Sequence, residues 1–256
     1  MEPVTVLREQ PEIKELFQVL EENGLTKERQ QVEAFVGCLE HMESQFGQIL
    51  EELKEVRGQL EELQDKGIRS AAVHVLDSVD NKAQEIGSQL VLVKQNLVRS
   101  AKNAVETFKE KGVDALRKAV SAMKIPTALS LLKGSFHRGM ESMNQSAEKL
   151  ENISTELYKA AEHGKNAGRI LLGREAEEPG EQKGDKGILM KGAKAFLACG
   201  RLLSGMEKTV EQAQKRVEQF SLSETGKSSV KAELQKIKSE KSGRQPTQAV
   251  MQDLAR

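Results

Sequence analysis

Tryptophan is absent, tyrosine occurs once, and aromatic residues make up only 3% of the 256 positions. Aromatic rings supply much of the bulk of a thick globular core. Their scarcity points instead to thin aliphatic seams, stripe packed against stripe. Cysteine is also rare. Cys38 and Cys199 are the two present, too few for a secreted scaffold of small disulfide-stapled domains, so a reducing compartment is expected. The N-terminal MEPVTVLREQPEIKELF has no basic stretch followed by an apolar one, so no signal peptide is expected. No apolar run approaches the roughly 18–20 residues that span a bilayer. These absences together predict a soluble, cytoplasmic protein.

Charged residues, at 30%, are abundant, and Lys, Glu, Gln, Ala and Leu set the character of the chain. That is the composition of long amphipathic helices rather than sheets. A formal net charge of zero hides segregation. Residues 1–66 carry 7 Lys and Arg against 16 Asp and Glu, residues 67–172 carry 16 against 11, and residues 174–256 carry 16 against 12. An acidic N-terminal part is therefore expected to pack on a basic remainder, in the same molecule or a neighbour.

Pro11 opens a predicted short helix, EIKELFQVLEENG, which Asn23 and Gly24 close. Thr26 offers an N-cap for the next, although Arg29 denies it a full capping box. An unbroken heptad follows, with Val32, Leu39, Phe46, Leu53 and Leu60 at a, and Phe35, Met42, Ile49, Val56 and Leu63 at d. The register then fails, because the same positions would next hold Gly67, Ser70, His74 and Asp77. A second stripe starts instead at Ala72, Leu76, Val79, Ala83, Ile86, Leu90, Val93 and Leu97. The two-residue offset is about 200° around a helix, so a reversal near Asp65-Lys66-Gly67 is the economical reading. It lets the two stripes face each other.

A short segment bearing Val113, Leu116, Val120 and Met123 stops at Ile125-Pro126, and Thr127 restarts a helix carrying Leu131, Phe136, Met140, Met143 and Leu150. Three segments of about 40 residues, each about 60 Å long if helical, predict an elongated antiparallel, up-down-up bundle of coiled-coil character over residues 1–172. Residues 173–187, GREAEEPGEQKGDKG, read as a flexible linker. Residues 188–220 form a predicted tethered amphipathic helix, with Phe196, Cys199, Leu203, Met206, Val210, Ala213, Val217 and Phe220 on its seam. The Ser, Lys and Gln-rich tail at 221–256 reads as mostly disordered, or as folding only on binding.

Site chemistry is sparse. His41, His74, His137 and His163 are far apart in sequence, and none pairs with a cysteine or histidine at ligand spacing. TGKSS at 225–229 ends like a phosphate-binding loop, but the required first glycine is replaced by Ser221 and the segment follows a helix rather than a strand. Cys38 at a g position and Cys199 on a seam lack a cationic, open setting with a nearby base, so both read as small buried hydrophobes. No catalytic residue, metal ligand, cofactor or small-molecule substrate is indicated, and a non-enzymatic interaction or scaffold protein is expected. Two basic stretches, 94–138 and 186–208, leave room for a membrane-surface or nucleic-acid-binding module. Both lack the Trp and Tyr that anchor such contacts. A basic solvated face over a buried stripe is the favoured reading.

The partner of the first stripe is legible in part. A parallel dimer would pair Gln31–Val36, Cys38–Glu43, Gln45–Leu50 and Glu52–Arg57, of which only the last is an ion pair. Apolar Val36 and Leu50 at e widen the stripe, as in bundle helices that pack on two neighbours. The expected neighbours are the helices at 68–111 and 127–164, with self-association left open. The runs PEIKELFQVLEENGLTKERQQVEAFV, MESQFGQILEELKEVRGQLEELQDKGIRS, FKEKGVDALRKAVSAMKIPTALSLLK and GRILLGRE carry a further signal. Over about residues 3–175 the chain resembles a family of unknown function from Gram-positive gut bacteria, found among the accessory genes of integrative conjugative elements. The resemblance implies an accessory of mobile-element maintenance or transfer. It leaves the last helix and tail as variable additions, and it brings no catalytic or binding residues with it.

Overall fold

The computed structural model describes residues 6–175 and 187–242, with side chains described as far as residue 220. A 3-10 turn over Leu7–Glu9 leads into α1 (Pro11–Glu22), α2 (Thr26–Glu61), α3 (Lys66–Lys111), α4 (Val113–Ser121), α5 (Ile125–Leu171) and α6 (Ile188–Ser242). The described residues contain no strand, and the fold is an all-α helical bundle.

Local chemistry sets the breaks. Gly24 adopts a left-handed φ of 68° after α1. Its N–H donates to the Glu21 carbonyl (3.0 Å), and the Leu25 N–H donates to that of Leu20 (2.9 Å), which satisfies carbonyls that α1 leaves open. Thr26 proves to be the first residue of α2, and no side chain caps that end. The expected reversal falls at residues 62–65. The Asp65 carboxylate accepts from the Gly67 and Ile68 N–H groups at 2.8 and 3.0 Å, fixing the start of α3. Gly112, with φ 77°, separates α3 from α4, and Pro126 sits in the first turn of α5, where its missing N–H costs nothing.

Four long helices share one interior. α2 packs on α3 and α6, and α5 packs on the same two helices. The expected pairing of α2 with α5 is therefore replaced: these two lie on a diagonal, and α6 fills the fourth side. Paired residues fix the directions. Glu43 meets Lys94 while Arg57 meets Asp77, so α3 runs opposite to α2. Lys133 meets Glu211 while Gly192 lies against Leu150, so α6 runs opposite to α5. The result is an up-down-up-down bundle with antiparallel neighbours. α1 contacts α2 and α3, and α4 contacts the same pair. Their buried Ile13, Leu16, Leu20, Leu116 and Val120 extend the core at one end.

The helical backbone of α6 continues past Phe220, where its apolar stripe ends, to Ser242. Residues 221–242 include five Lys and three Glu, which favour helix, among six serines. Most of the expected linker, 176–186, and the terminal 243–256 lie outside the described residues.

The helices meet tightly at a waist built on glycine. A methyl group at Gly139 would lie 2.5 Å from Ile86 Cδ1 and 3.1 Å from Leu203 Cδ1. One at Gly87 would lie 2.9 Å from the Phe46 ring. All four helices thus meet at one level through two residues without side chains. Adding a methyl here overpacks the interior. Gly139→Ala is expected to destabilise the fold by about 1–3 kcal/mol in chemical denaturation. Trimming the opposing side chain in the double variant Gly139→Ala/Ile86→Val should recover part of that loss.

Candidate interaction surface

The first seam lies in the interior. Val32, Phe35, Leu39, Met42, Phe46, Ile49, Leu53, Val56 and Leu60 are buried, and Leu63, beyond the end of α2, is half-buried. On α3, Leu76, Val79, Ile86, Leu90 and Leu97 are buried and Val93 is half-buried. On α6, Phe196, Cys199, Leu203, Met206, Val210 and Val217 are buried, while Phe220 is half-buried. These three stripes and a fourth on α5, with Leu129, Leu132, Phe136, Met143 and Leu150, form one continuous core. Packing consumes them.

The two apolar e positions diverge. Val36 is fully buried, whereas Leu50 is 47% exposed. The N-terminal 3-10 turn packs on α2, and Arg8 reaches Gly37 beside Val36. Opposite Leu50, α3 presents the small residues Ala83 and Gly87 and nothing covers the leucine from above. An open groove of about 720 Å³ results, bordered by Phe46, Leu50, Gly87, Val91 and Leu92.

Titratable chemistry is dispersed. All four histidines are exposed, and His137 lies 3.5 Å from Glu141 and 3.6 Å from Glu207. Among the described residues no group of three His, Cys, Asp or Glu side chains is arranged to hold a metal ion. The TGKSS segment falls within the helical backbone of α6 rather than in a loop. Cys38 borders a cleft of about 620 Å³ between α2 and α6, near Arg8 and Arg216. Burial nevertheless pushes its thiol up to about 12. Burial, followed by the Glu52 charge, pushes the Cys199 thiol up to about 12 as well. Neither holds a useful thiolate fraction near neutrality.

Charge follows the segregation seen in the sequence. Glu43 pairs with Lys94 (2.6 Å), Glu15 with Lys109 (2.7 Å) and Glu28 with Arg117 (3.1 Å), each joining the acidic segment to the basic one. Arg57 reverses the polarity by bridging Asp77 and Asp80 at 2.9 and 2.5 Å. Such exposed pairs contribute about 0–1 kcal/mol each, against about 1.5–3 kcal/mol for a buried leucine or phenylalanine. They select the alignment of helices; the seams hold it.

A family model described as Family of unknown function (DUF6674) matches residues 9–254. The chain belongs to that family. The match runs through α6, which the resemblance at residues 3–175 had left outside, and α6 is the fourth wall of this bundle. No curated protein and no solved structure matches the chain. No helix among the described residues of this DUF6674 chain is long and apolar enough to cross a membrane.

Two outcomes follow from the buried thiols and the α5–α6 pair. Cys38 and Cys199 should resist a thiol reagent in the native protein and react fully in denaturant, so rapid native labelling would contradict their burial. The Lys133 ammonium, 2.7 Å away, holds the Glu211 carboxyl below its usual range. A lowered folded-state value means the stabilisation is complete above the unfolded carboxylate range and is lost as pH falls through the lowered value. Lys133→Met should therefore flatten the acid limb of a stability–pH curve slightly, without moving the neutral-to-alkaline limb through Glu211.

Proposed function

We propose that the chain is a non-enzymatic helical scaffold, a rigid surface for contact with other proteins, working in the cytoplasm. The reading is carried by one observation. The bundle buries its seams and yet leaves Leu50, Val91 and Leu92 outside, side by side along the α2/α3 groove. Exposed apolar groups gathered in one place mark interaction sites more often than chance scatter does. Two features supply further support. Among the described residues the buried polar side chains are two serines, Ser135 and Ser146, and both thiols are held protonated.

The membrane-surface or nucleic-acid reading has less behind it. The apolar residues of 186–208 that would enter a lipid interface, Phe196, Cys199, Leu203 and Met206, lie in the bundle core. In the stretch 94–138, Lys94, Lys109, Arg117 and Lys133 each engage a carboxylate. We further place the protein as an accessory to the maintenance or transfer of a conjugative mobile element in a Gram-positive gut bacterium. That placement is supported by the resemblance over residues 3–175 and is checked by the genes flanking its own.

Affinity capture in the native host, with the full chain and a Leu50→Lys/Leu92→Lys variant, tests the scaffold role. The expected outcome is a defined set of proteins retained by the first and lost, by about tenfold or more, from the second. Identical capture by both would remove the basis of the proposal.

A further inference from the structure

Most of the outer face of α3 is exposed, bordered by Leu50 of α2 along one side and by Gln10 near its C-terminal half, and its residues are spaced for a partner. The α3 seam uses Ile86, Leu90, Val93 and Leu97. Round the helix from it, Asp77, Asn81, Gln84, Ser88, Val91, Gln95, the half-buried Val98 and Lys102 recur at alternating intervals of four and three, the period of a helix that packs along a second helix. At its centre Val91 is 52% and Leu92 55% exposed, within the apolar run Leu90-Val91-Leu92-Val93. The inward residues of that run account for the fold; the outward pair does not.

This face is complementary to itself. Antiparallel alignment about the midpoint between Gln89 and Leu90 sets Ser88 against Val91, Gln84 against Gln95 and Asp77 against Lys102 of a second copy. The same register places Gly87 beneath Leu92 and Asp80 beside Arg99. Along one half of the face the Arg57 guanidinium is shared by two carboxylates, Asp77 and Asp80, which leaves a surplus negative charge. Along the other half Arg99 and Lys102 are exposed and engage no carboxylate among the described residues. A two-fold axis brings each half against its opposite. A methyl group at Gly47, one turn before Leu50 on the outside of α2, would meet nothing within 4 Å, so the fold itself does not require a glycine there. Its smoothness suits a close neighbour. From Asp77 to Lys102 the face is about 38 Å long, and two helices make it about 20 Å wide. That gives on the order of 800 Å² per copy, the size of a stable interface.

We propose that the α2/α3 face docks a second copy of this chain as an antiparallel, two-fold dimer, with α3 packed against α3. The inference rests on the scaffold reading and names the occupant of the same surface. Val91 and Leu92 are the central apolar contacts, Leu50 flanks them, and the Asp77–Lys102 and Asp80–Arg99 pairs fix the register. Raising salt screens those pairs and weakens the dimer.

Sedimentation equilibrium on the full chain across the micromolar range tests the association. Wild type should dimerise, and Leu92→Lys should raise the dissociation constant by about a hundredfold or more, because symmetry counts each substitution twice. Circular dichroism should show unchanged helicity, with Val91→Gln as a second variant of the same patch. The register is read separately by oxidation. Gln84→Cys chains mixed with Gln95→Cys chains should cross-link, whereas Gln84→Cys mixed with Lys118→Cys should not, and the native thiols are shielded. A monomer at every concentration, a dimer indifferent to Leu92→Lys, or equal cross-linking by the control pair overturns the proposal. A monomer that still captures host proteins through Leu50 and Leu92 defeats the dimer alone; a dimer with no patch-dependent capture defeats the scaffold reading instead.

Discussion

Four apolar stripes sharing one narrow interior is the constraint on which the rest of this bundle depends. The chain has few aromatic rings to fill space between distant helices, so the helices must come close. Close approach needs small residues at the crossing, and Gly139 and Gly87 provide them, with Ile86, Leu203 and Phe46 seated in the space a side chain would occupy. Dispersion and burial in such a contact depend on atoms meeting at van der Waals distance. The glycines are therefore part of the packing even though they contribute no side chain to it.

Once the waist is fixed, the other features become legible as consequences. The reversal at Asp65 must deliver α3 with its stripe turned towards α2, and the two-residue shift in register does so. α6 must occupy the fourth side, because without it the buried faces of α2 and α5 would both be open to water. Surface ion pairs add direction rather than strength. Glu43, Glu15 and Glu28 find cations on the following elements, consistent with an acidic segment laid antiparallel along a basic one. Leu50, Val91 and Leu92 lie off the four stripes and, unlike Val36, have no further element packed over them, which is why they stay outside.

Much of this was written in the chain in readable form. Nine of the ten heptad positions, from Val32 to Leu60, specified the buried face of α2, and the 3-4 spacing from Phe196 to Val217 specified that of α6. Turn chemistry at Asn23-Gly24 marked its break correctly, since a left-handed backbone is a local demand met by local residues. The end of α6 was less legible. Its stripe stops near Phe220, but backbone helicity depends on propensity as well as on a buried face, and it runs on to Ser242. The candidate surface was missed for a different reason. Leu50 at an e position looks the same in sequence whether or not a neighbour covers it, as buried Val36 shows.

The sequence by itself determined the all-helical character, the faces that are buried, and the place where α2 turns into α3. These follow from periodicity and from side chains acting on their own backbone. Only the tertiary structure decided that α2 meets α6 rather than α5, that the last helix is a wall rather than a tether, and that one apolar group of α2 and two of α3 remain in water. Pairing among four similar stripes is a choice between near-equivalent surfaces. It is settled by steric fit at a few glycines and by charges far apart in the chain, neither of which a local pattern records.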